Sequence, residues 1–411
     1  MAPPSPSSPS LTSAAAPGLE RLASLLPPGR LSVAVIDLTA VADNVAALRR
    51  RTGAELIAVV KADGYGHGLV PCARAALAGG AGRLGVAFLS EALALRAAGI
   101  TAPVLAWITT PGQDYRGAVE AGVELGVGAP WAVQAVAAAA RAAGRPAAVH
   151  LEADTGLGRG GATAAAWPQL LGAVAAAVDE GTLRVAGTFS HFACADTPGH
   201  PSVAAQLAAY HEALATVERA GIEPGLRHLA NSAAALAVPG SAFDAIRCGI
   251  AVYGLSPLPG RTPADLGLRP AMTLLARVAH TKDVEAGQGV SYGLTYRTAA
   301  AGRLALLPLG YGDGLPRHAG NRGQVLLAGR RRTVAGRVCM DQVVLDVGDE
   351  PVQPGDLAVV FGPGLDGEPT ASDWAEAAGT IDYEIVTRIG ARVPRVFLEP
   401  DPAPAGGLVD Q

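Results

Sequence analysis

Lys61 is one of two lysines in the chain, and arginine supplies the other thirty of its 32 basic side chains. It directly follows the apolar run 56–60 and precedes a glycine-rich stretch. An amine at the end of a buried strand is partly desolvated, which lowers its pKa and favours the neutral form that attacks an aldehyde. The alternative is a lysine that only extends from a strand end into solvent, as we expect for Lys282 among its polar neighbours.

Polar side chains follow other apolar runs in the same way. His191 ends one run, Asn231 and Ser232 end the next, and Arg247 lies in the run after that. Arg159 follows an earlier run in a glycine-rich loop, where backbone amides can approach an anion. A single buried residue of these types is usually structural, so it is their shared position after successive runs that indicates a site.

Short apolar runs alternate with helical stretches rich in alanine and leucine, which is typical of parallel βα units. Eight such runs over about 200 residues predict a (β/α)8 TIM-like barrel, in which reactive groups lie where the strands end. An earlier strand at 33–37 and its helix at 40–51 are surplus and are expected outside the barrel. The predicted barrel strands are 56–61, 85–89, 104–108, 124–128, 147–154, 185–191, 226–232 and 244–249.

The composition changes after residue 256, because prolines and glycines in the stretch 257–263 stop both helix and strand. Beyond it we predict a mostly β C-terminal domain with one helix at 372–378 and β segments at 273–284, 303–309, 323–328, 332–347 and 357–361. The predicted organisation is an N-terminal extension 1–30, disordered except for one candidate helix around 19–26, the barrel 31–257, the β domain 258–400 and a flexible tail 401–411.

Charge and composition exclude several classes of function. The net charge of −4 leaves no basic footprint for nucleic acid or an anionic membrane. No apolar run reaches the roughly 20 residues of a membrane span, and the Pro- and Ser-rich start lacks the features of a signal peptide. We therefore expect a soluble, cytoplasmic protein. The four cysteines and the histidines lack metal-ligand spacing, so we expect free thiols and no metal.

The sequence Val-Val-Lys61-Ala-Asp-Gly-Tyr65-Gly-His-Gly resembles the cofactor-lysine signature of the alanine racemases, which use pyridoxal 5'-phosphate. The resemblance extends from Val33 to Phe397. It implies a barrel followed by a β domain, in agreement with the division predicted above. It also implies a homodimer in which each active site is completed by the β domain of the partner.

The resemblance assigns the two catalytic bases. Lys61 would hold the cofactor as a Schiff base and act on one face of the substrate Cα, and Tyr292 from the other subunit would act on the opposite face. Inversion needs two bases, because a proton leaves one face and another arrives at the other. A free tyrosine has a pKa near 10 and is poorly ionised at neutral pH, so the resemblance implies support for Tyr292 from His191 and Arg247.

The resemblance also assigns binding residues. Arg247 would face the pyridine nitrogen, and because arginine only donates hydrogen bonds, the ring would be a weaker electron sink than beside a carboxylate. Arg159 would contact the cofactor phenolate oxygen and hold the substrate carboxylate. The expected cofactor-binding residues are Lys61, Tyr65, Arg159, His191, Asn231, Ser232, Arg247, Gly249, Ile250 and Tyr383.

Further residues of the partner subunit are implied near the substrate. Met340 and Asp341 of the partner match a pair beside the substrate. The substrate-binding residue of the barrel that they face is Arg159. Tyr311 and Arg317 match positions that line the substrate entrance.

One position departs from the family pattern. Many members have a lysine seven residues before the arginine matched by Arg159, and its carbamylated side chain orients that arginine. Here the position is Glu152. A glutamate supplies a carboxylate without carbon dioxide, so we expect Glu152 to pair with Arg159. The alternative is an ordinary glutamate at a strand end.

The resemblance implies an enzyme that interconverts L- and D-alanine and supplies D-alanine for peptidoglycan. Three alternatives stay open: a racemase of another small amino acid such as serine, a non-catalytic pyridoxal phosphate carrier, and a decarboxylase of the same fold. A carrier would lack counterparts of Tyr292, Met340 and Tyr383. A decarboxylase would place a glutamate where Arg247 stands.

Overall fold

The computed structural model describes residues 18–26 and 29–399. The predicted flexible tail 401–411 and residues 1–17 of the predicted extension lie outside this part of the chain. In the described part, none of the helices has the length and apolar character that a membrane crossing requires.

The first described element is helix α1 (Leu19–Leu25), which lies within the predicted disordered extension. It is the candidate helix predicted around 19–26, and Leu22 and Leu26 are buried in a small apolar cluster with strand residues. Strand β1 (Ser32–Asp37) and helix α2 (Leu38–Thr52) follow. These two are the predicted surplus strand and helix.

Eight parallel strands close into a barrel in which each strand pairs with the next and the last pairs with the first. All eight predicted barrel strands are found, which confirms the fold class. They are β2 (Glu55–Val59), β3 (Arg83–Val86), β4 (Val104–Ala106), β5 (Glu124–Val127), β6 (Ala147–Glu152), β7 (Leu183–Phe189), β8 (Leu226–His228) and β9 (Ala245–Cys248).

Helical segments connect the barrel strands and return the chain to the same end of the barrel each time. They are α4 (Leu69–Ala78), α5 (Leu89–Ala97), α6 (Tyr115–Glu120), α7 (Pro130–Ala143), α8 (Trp167–Asp179), α9 (Pro201–Arg219) and α10 (Ser232–Ala237), and α4 is preceded by the left-handed turn α3 (Lys61–Tyr65). Helix α7 shows why they pack as they do: Val133, Val136 and Ala140 are buried at helical spacing, and the helix ends at Gly144 with a φ of 65°.

The β-rich part of the chain forms three further sheets. Its elements are β10 (Met272–Arg277), β11 (His280–Val284), β12 (Gly289–Val290), β13 (Tyr296–Arg297), β14 (Gly302–Leu307), β15 (Gln324–Leu327), β16 (Arg330–Thr333), β17 (Val343–Gly348), β18 (Leu357–Phe361), β19 (Arg395–Leu398), α11 (Ala371–Ala378) and α12 (Asp382–Thr387). A six-stranded sheet has the order β16-β15-β18-β10-β1-β19, a three-stranded sheet has the order β11-β14-β17, and β12 pairs with β13.

Several predictions for this part need correction. Strand β1, which the division at residue 257 assigns to the barrel domain, is hydrogen-bonded to β10 and β19 of the six-stranded sheet. The predicted segment 273–284 is two strands, β10 and β11, in different sheets. The predicted segment 332–347 is extended only at its ends, and a loop between β16 and β17 carries Met340. Helix α12, which carries Tyr383, was not predicted from the composition.

The chain leaves β2 through a left-handed turn, α3. Ala62, Asp63 and Tyr65 have φ values of 53°, 53° and 52°. Residues other than glycine each lose roughly 1–2 kcal/mol in this conformation, so contacts from elsewhere must hold the turn. Gly66 continues it at a φ of 80°, and a Cβ there would collide with the carbonyl oxygen of Val386 on α12. The turn and α12 therefore pack backbone against backbone.

A chain of hydrogen bonds runs through the barrel interior, from Arg247 on β9 to Glu124 at the start of β5. Nη1 of Arg247 lies 2.9 Å from Nδ1 of His228, and Nε2 of His228 lies 2.9 Å from Nδ1 of His150. Nε2 of His150 lies 3.0 Å from Oε2 of Glu124. Both histidines are fully buried, and burial lowers the pKa of each, so both are neutral at neutral pH.

The groups at the two ends of this series of hydrogen bonds determine which atom donates in each bond. Arg247 can only donate, so Nδ1 of His228 accepts and its Nε2–H donates to His150. The Nε2–H of His150 then donates to the carboxylate of Glu124, which can only accept. Burial by itself would raise the pKa of Glu124, but the hydrogen bond from His150 and the charge of Arg83 hold that pKa below its ordinary value. The Arg247 guanidinium is thus oriented by a series of groups whose protonation states are fixed: neutral His228, neutral His150 and the Glu124 carboxylate.

Replacing Glu124 by glutamine is expected to lower the free energy of unfolding by about 2–3 kcal/mol, because Arg83 loses the charged acceptor of two hydrogen bonds. Glu180→Gln is the matched control. Glu180 also accepts two hydrogen bonds from one arginine, Arg141, but both side chains are about half exposed. Its loss is expected to cost at most about 0.5 kcal/mol. Urea denaturation at pH 7 measures both variants.

The effect of Glu124→Gln is also expected to depend on pH. Since the folded pKa of Glu124 is below the unfolded value near 4.3, its contribution is present above that value and is lost as the pH falls through the lower folded value. The difference between wild type and Glu124→Gln should therefore shrink below about pH 4.3. Equal losses for the Glu124 and Glu180 variants at pH 7 would contradict this account.

Candidate active site

A cavity of about 1,700 Å3 opens at the rim where the carboxyl ends of the barrel strands lie. Eleven of the predicted site residues line it together, although they are spread over more than 300 positions of the sequence. They are Lys61, Tyr65, Glu152, Arg159, His191, Asn231, Ser232, Arg247, Gly249, Ile250 and Tyr383.

Lys61 enters the cavity directly after β2. Burial lowers the pKa of Lys61, and the positive charges of Arg159 and Arg247 lower it further, whereas the carboxylate of Glu91 acts in the opposite direction. The Nζ atom lies 5.6 Å from the centre of the Trp107 ring. A lysine in such surroundings loses its proton more easily than one in water, and the neutral amine is the form that attacks a carbonyl carbon.

A cluster of hydrogen-bond donors lies on one side of the cavity. The Oγ atom of Ser232 accepts from the backbone N–H of Gly249 at 3.0 Å, so its own hydrogen points away from that amide. The rings of Tyr65 and Tyr383 are 6.3 Å apart, and burial raises the pKa of both phenols, so each keeps its proton. A Cβ at Gly249 would collide with the Tyr65 hydroxyl. Phenols, a hydroxyl and the amide of Ile250 are donors suited to a phosphate-sized anion, whereas the amide of Gly249, also predicted to bind it, already donates to Ser232.

Asn231 acts on this cluster through the backbone. Its side chain accepts from the N–H of Ala234 at 3.0 Å and caps α10, whose first residue is Ser232. The cap fixes the point at which the chain turns from β8 into α10. It therefore fixes the position of the Ser232 hydroxyl.

Arg247 presents part of its guanidinium to the cavity. Nη1 donates to His228, and Nη2 donates to the carbonyl oxygen of Ser190 and to Nδ1 of His191, each at 2.9 Å. Within the described part of the chain, three of its five N–H groups are used, which leaves the Nε–H and one Nη1 hydrogen for a ligand. Burial lowers the pKa of Arg247 to about 10, opposed by the charge of Glu152, so the group is cationic at neutral pH.

His191 extends this arrangement toward the cavity. Burial and then the charge of Arg247 keep the pKa of His191 well below its ordinary value, so the ring is neutral. Because Nδ1 accepts from Arg247, the ring proton is on Nε2. The Nε2–H can donate to a group that enters the cavity.

Glu152 ends β6 and lines the same cavity as Arg159, although the two side chains form no ion pair among the described residues. Burial raises the pKa of Glu152, and the charges of Arg247 and then Arg159 lower it. Its carboxylate lies against the loop that carries Arg159, since a Cβ at Gly160 would be 2.9 Å from Oε1. Glu152 is thus an electrostatic neighbour of both arginines, of Arg247 more than of Arg159.

Five predicted site residues lie elsewhere on this chain. Tyr292, Met340 and Tyr311 expose 69%, 53% and 42% of their surfaces, and Asp341 and Arg317 are also exposed. None of the five is among the described residues that line the cavity. The structure therefore brings together the predicted barrel residues and Tyr383, but not the residues predicted to come from a partner.

Tyr292, Tyr311 and Met340 lie close together around Cys339, and we call these three residues the exposed face. The Oγ atom of Ser291 lies 3.4 Å from the Cys339 sulfur, and the N–H of Tyr311 donates to the Cys339 carbonyl at 2.9 Å. Met340 follows Cys339 in the chain. Residues distant in sequence are therefore brought to one region of the β domain.

Three residues that support the cavity-lining groups were not among the predicted site residues. Ser190 contributes its carbonyl oxygen to Arg247, for which no side-chain signal exists. Glu91 lies on α5 and reaches Ala62 across 29 positions. His228 is different: it is the last residue of β8, so its position at a strand end is a signal that could have identified it.

Two family models cover most of the chain. Residues 36–257 match the model described as "Alanine racemase, N-terminal domain", and residues 271–397 match "Alanine racemase, C-terminal domain". The alanine racemases of Salinispora tropica and Thermobifida fusca are 59% and 58% identical to the chain over 363 residues. These alignments cover 88% of the chain and 97% and 96% of the two relatives.

Solved structures lead to the same family. The alanine racemase from Streptomyces coelicolor A3(2) is 56% identical, with a TM-score of 0.89 over 92% of this chain and 99% of that one. An alanine racemase from Bacillus anthracis with bound L-Ala-P is 38% identical, with a TM-score of 0.82 over 91% and 96%. Domain order, barrel topology and sequence agree, and the chain is an enzyme of the alanine racemase family.

Proposed function

We propose that this chain is a pyridoxal 5'-phosphate-dependent alanine racemase that interconverts L- and D-alanine in the cytoplasm and supplies D-alanine for peptidoglycan. The observation that carries the proposal is the amine of Lys61, whose pKa is lowered, in one cavity with the donor-only Arg247 and a cluster of phosphate-suited donors. The names of the relatives indicate alanine as the substrate.

The residues of the cavity fit the cofactor. Tyr65, Ser232, Tyr383 and the amide of Ile250 would hold the phosphate, and Lys61 would bind the aldehyde carbon. When bound, pyridoxal phosphate withdraws electrons from the amino acid and acidifies its Cα–H bond. Arg247 has two N–H groups for the ring nitrogen, and because it remains protonated it donates a hydrogen bond without transferring a proton.

Two bases move the Cα proton. The Nζ atom of Lys61 takes or returns it on one face, which a lysine of lowered pKa does more readily than an ordinary one. On the other face the second group is the Tyr292 side chain of a second copy of the chain, which would take the proton as the phenolate and return one as the phenol. The Nε2–H of His191 would donate to that phenol oxygen, so that His191 and the cationic Arg247 behind it stabilise a negative charge there.

The remaining roles concern the substrate. Arg159 holds its carboxylate, and Glu152 balances the charge of Arg159 and Arg247 in place of a carbamylated lysine. Met340 and Asp341 of a second copy lie beside the substrate. Tyr311 and Arg317 of that copy line its entrance.

The exposed face supports a homodimer with shared active sites. Tyr292 and Met340 are large side chains with more than half of their surface exposed. Such groups gathered on one side of a domain are typical of a surface that another protein covers. A two-fold dimer buries the same surface on both copies, and it would carry each exposed face to the cavity of the other copy.

Borohydride reduction of the purified protein is expected to fix a pyridoxyl group on Lys61, located by mass mapping, and to leave the exposed Lys282 on β11 unlabelled. Lys282→Arg is the control and should keep the label and the activity. Racemisation of alanine and of serine is assayed in parallel. A label without racemisation would indicate a carrier, preferential turnover of serine would indicate another racemase, and the absence of a label would remove the cofactor from the proposal.

Mixing two inactive variants tests the shared site. Equal amounts of Lys61→Ala and Tyr292→Phe, dissociated and reassembled, should form heterodimers in half of the cases, each with one intact site, and regain about a quarter of the wild-type activity. Lys61→Ala mixed with Arg159→Ala is the control, because both residues are assigned to the same half-site and no intact site forms. Failure of the first mixture to exceed the control would contradict the shared site.

Glu152→Gln is expected to lower kcat/KM about tenfold, because it removes the negative charge that faces Arg247 and Arg159, at a cost near 1.4 kcal/mol. Steady-state kinetics in both directions measure the effect. Glu180→Gln, an exposed carboxylate at the end of α8, is the control and should leave the kinetics unchanged. If Glu152→Gln keeps the wild-type kinetics, the proposed role of the Glu152 charge is wrong and Glu152 is an ordinary glutamate at a strand end.

A further inference from the structure

Glu91 connects α5 to the turn that carries Lys61. Its Oε2 atom accepts from the backbone N–H groups of Ala87 at 2.9 Å and Phe88 at 3.0 Å, at the start of α5. Its Oε1 atom accepts from the N–H of Ala62 at 2.7 Å. Ala62 directly follows Lys61, so one carboxylate joins the end of β3 to the first residue after the amine.

The turn that Glu91 holds is conformationally unfavourable without such contacts. Ala62 begins the left-handed stretch with a φ of 53°. A second carboxylate, that of Asp63, accepts from the N–H of Leu69 at 2.8 Å and holds the far end of the same turn. The chain therefore offers two carboxylates that tie one turn, of which Glu91 is tied to the residue next to Lys61.

Glu91 also acts on Lys61 through its charge. Arg159, from the loop after β6, and Arg247, from β9, face the amine with positive charge, and His191 after β7 is neutral. Glu91, from α5, supplies negative charge and acts against the two arginines. An acid–base group works best when its pKa lies near the working pH, so an amine beside two uncompensated arginines would hold a proton too weakly.

We propose that Glu91 is a positioning residue for Lys61: it fixes the left-handed turn that presents the amine, and its charge offsets the two arginines that face that amine. Asp63 shares the first task and not the second, since its charge is not among the influences on Lys61. The inference rests on the proposed function only for the role of Lys61 in the reaction. The effect on the amine itself exists whether or not the cofactor binds.

The test uses the full chain after removal of the cofactor. With two lysines, trace acetylation by acetic anhydride at a series of pH values, read by mass spectrometry, gives the pH midpoint of Lys61 reactivity with Lys282 as the internal reference. Glu91→Gln should move the Lys61 midpoint to lower pH by roughly one unit, because a negative charge near the amine is lost. Asp63→Asn is the matched control and should leave the midpoint unchanged.

A third variant separates charge from folding. Glu91→Asp keeps the charge and shortens the reach, so it should keep the midpoint near the wild-type value even where it loosens the turn. An unchanged midpoint in Glu91→Gln, or an equal shift in Asp63→Asn or Glu91→Asp, would overturn the proposal. If Glu91→Gln does not fold, the Glu91→Asp and Asp63→Asn midpoints decide, because a shift in Glu91→Asp contradicts a role of charge. A wild-type protein that takes no pyridoxyl label on Lys61 would instead defeat the proposed function and leave these midpoints meaningful.

Discussion

An amine withdrawn from water is the constraint around which the rim of this barrel is arranged. Lys61 leaves β2 into a cavity lined by two arginines, so both burial and charge lower its pKa. The backbone then turns left-handed through Ala62, Asp63 and Tyr65, each at a cost of roughly 1–2 kcal/mol. That cost is met by contacts from other parts of the fold: carboxylate bonds to Ala62 and Leu69, and the guanidinium of Arg395, which donates to the Gly66 carbonyl.

Burial is also the constraint on Arg247, whose charge acts on the Lys61 amine. A buried guanidinium is costly unless its hydrogen bonds are satisfied, and here two neutral histidines and a carbonyl oxygen accept them. The chain through His228 and His150 ends on Glu124, a carboxylate near the other end of the barrel. Cation and anion thus lie at opposite ends of a neutral path. Among the described residues the arginine is oriented by neutral acceptors, with no hydrogen bond to a carboxylate, which leaves its free N–H groups for a ring nitrogen.

Much of this could be predicted from the sequence, and the exceptions have physical causes. The eight strands follow from apolar runs between helical stretches, and strand ends located Lys61, His191 and Arg247 because parallel strands end at one rim. The left-handed turn could not be predicted, since only Gly64 and Gly66 within it are glycines. The roles of Glu91 and Glu124 could not be predicted, because their partners Ala62 and His150 are 29 and 26 positions away and no local sequence pattern indicates such a contact.

The predicted site residues lie on two separate surfaces of one chain, the cavity and the exposed face. One chain supplies the amine, the donor cluster and the oriented Arg247 inside its own cavity, and all of these are buried or half-buried whether or not a partner is present. Tyr292 and Met340, by contrast, are exposed on the β domain, where a lone chain gives them no acid–base partner across a substrate. Cofactor binding and proton transfer therefore have different structural requirements. In the proposed enzyme a monomer would hold the cofactor yet lack the second base, so racemisation would follow the dimer concentration while cofactor binding would not.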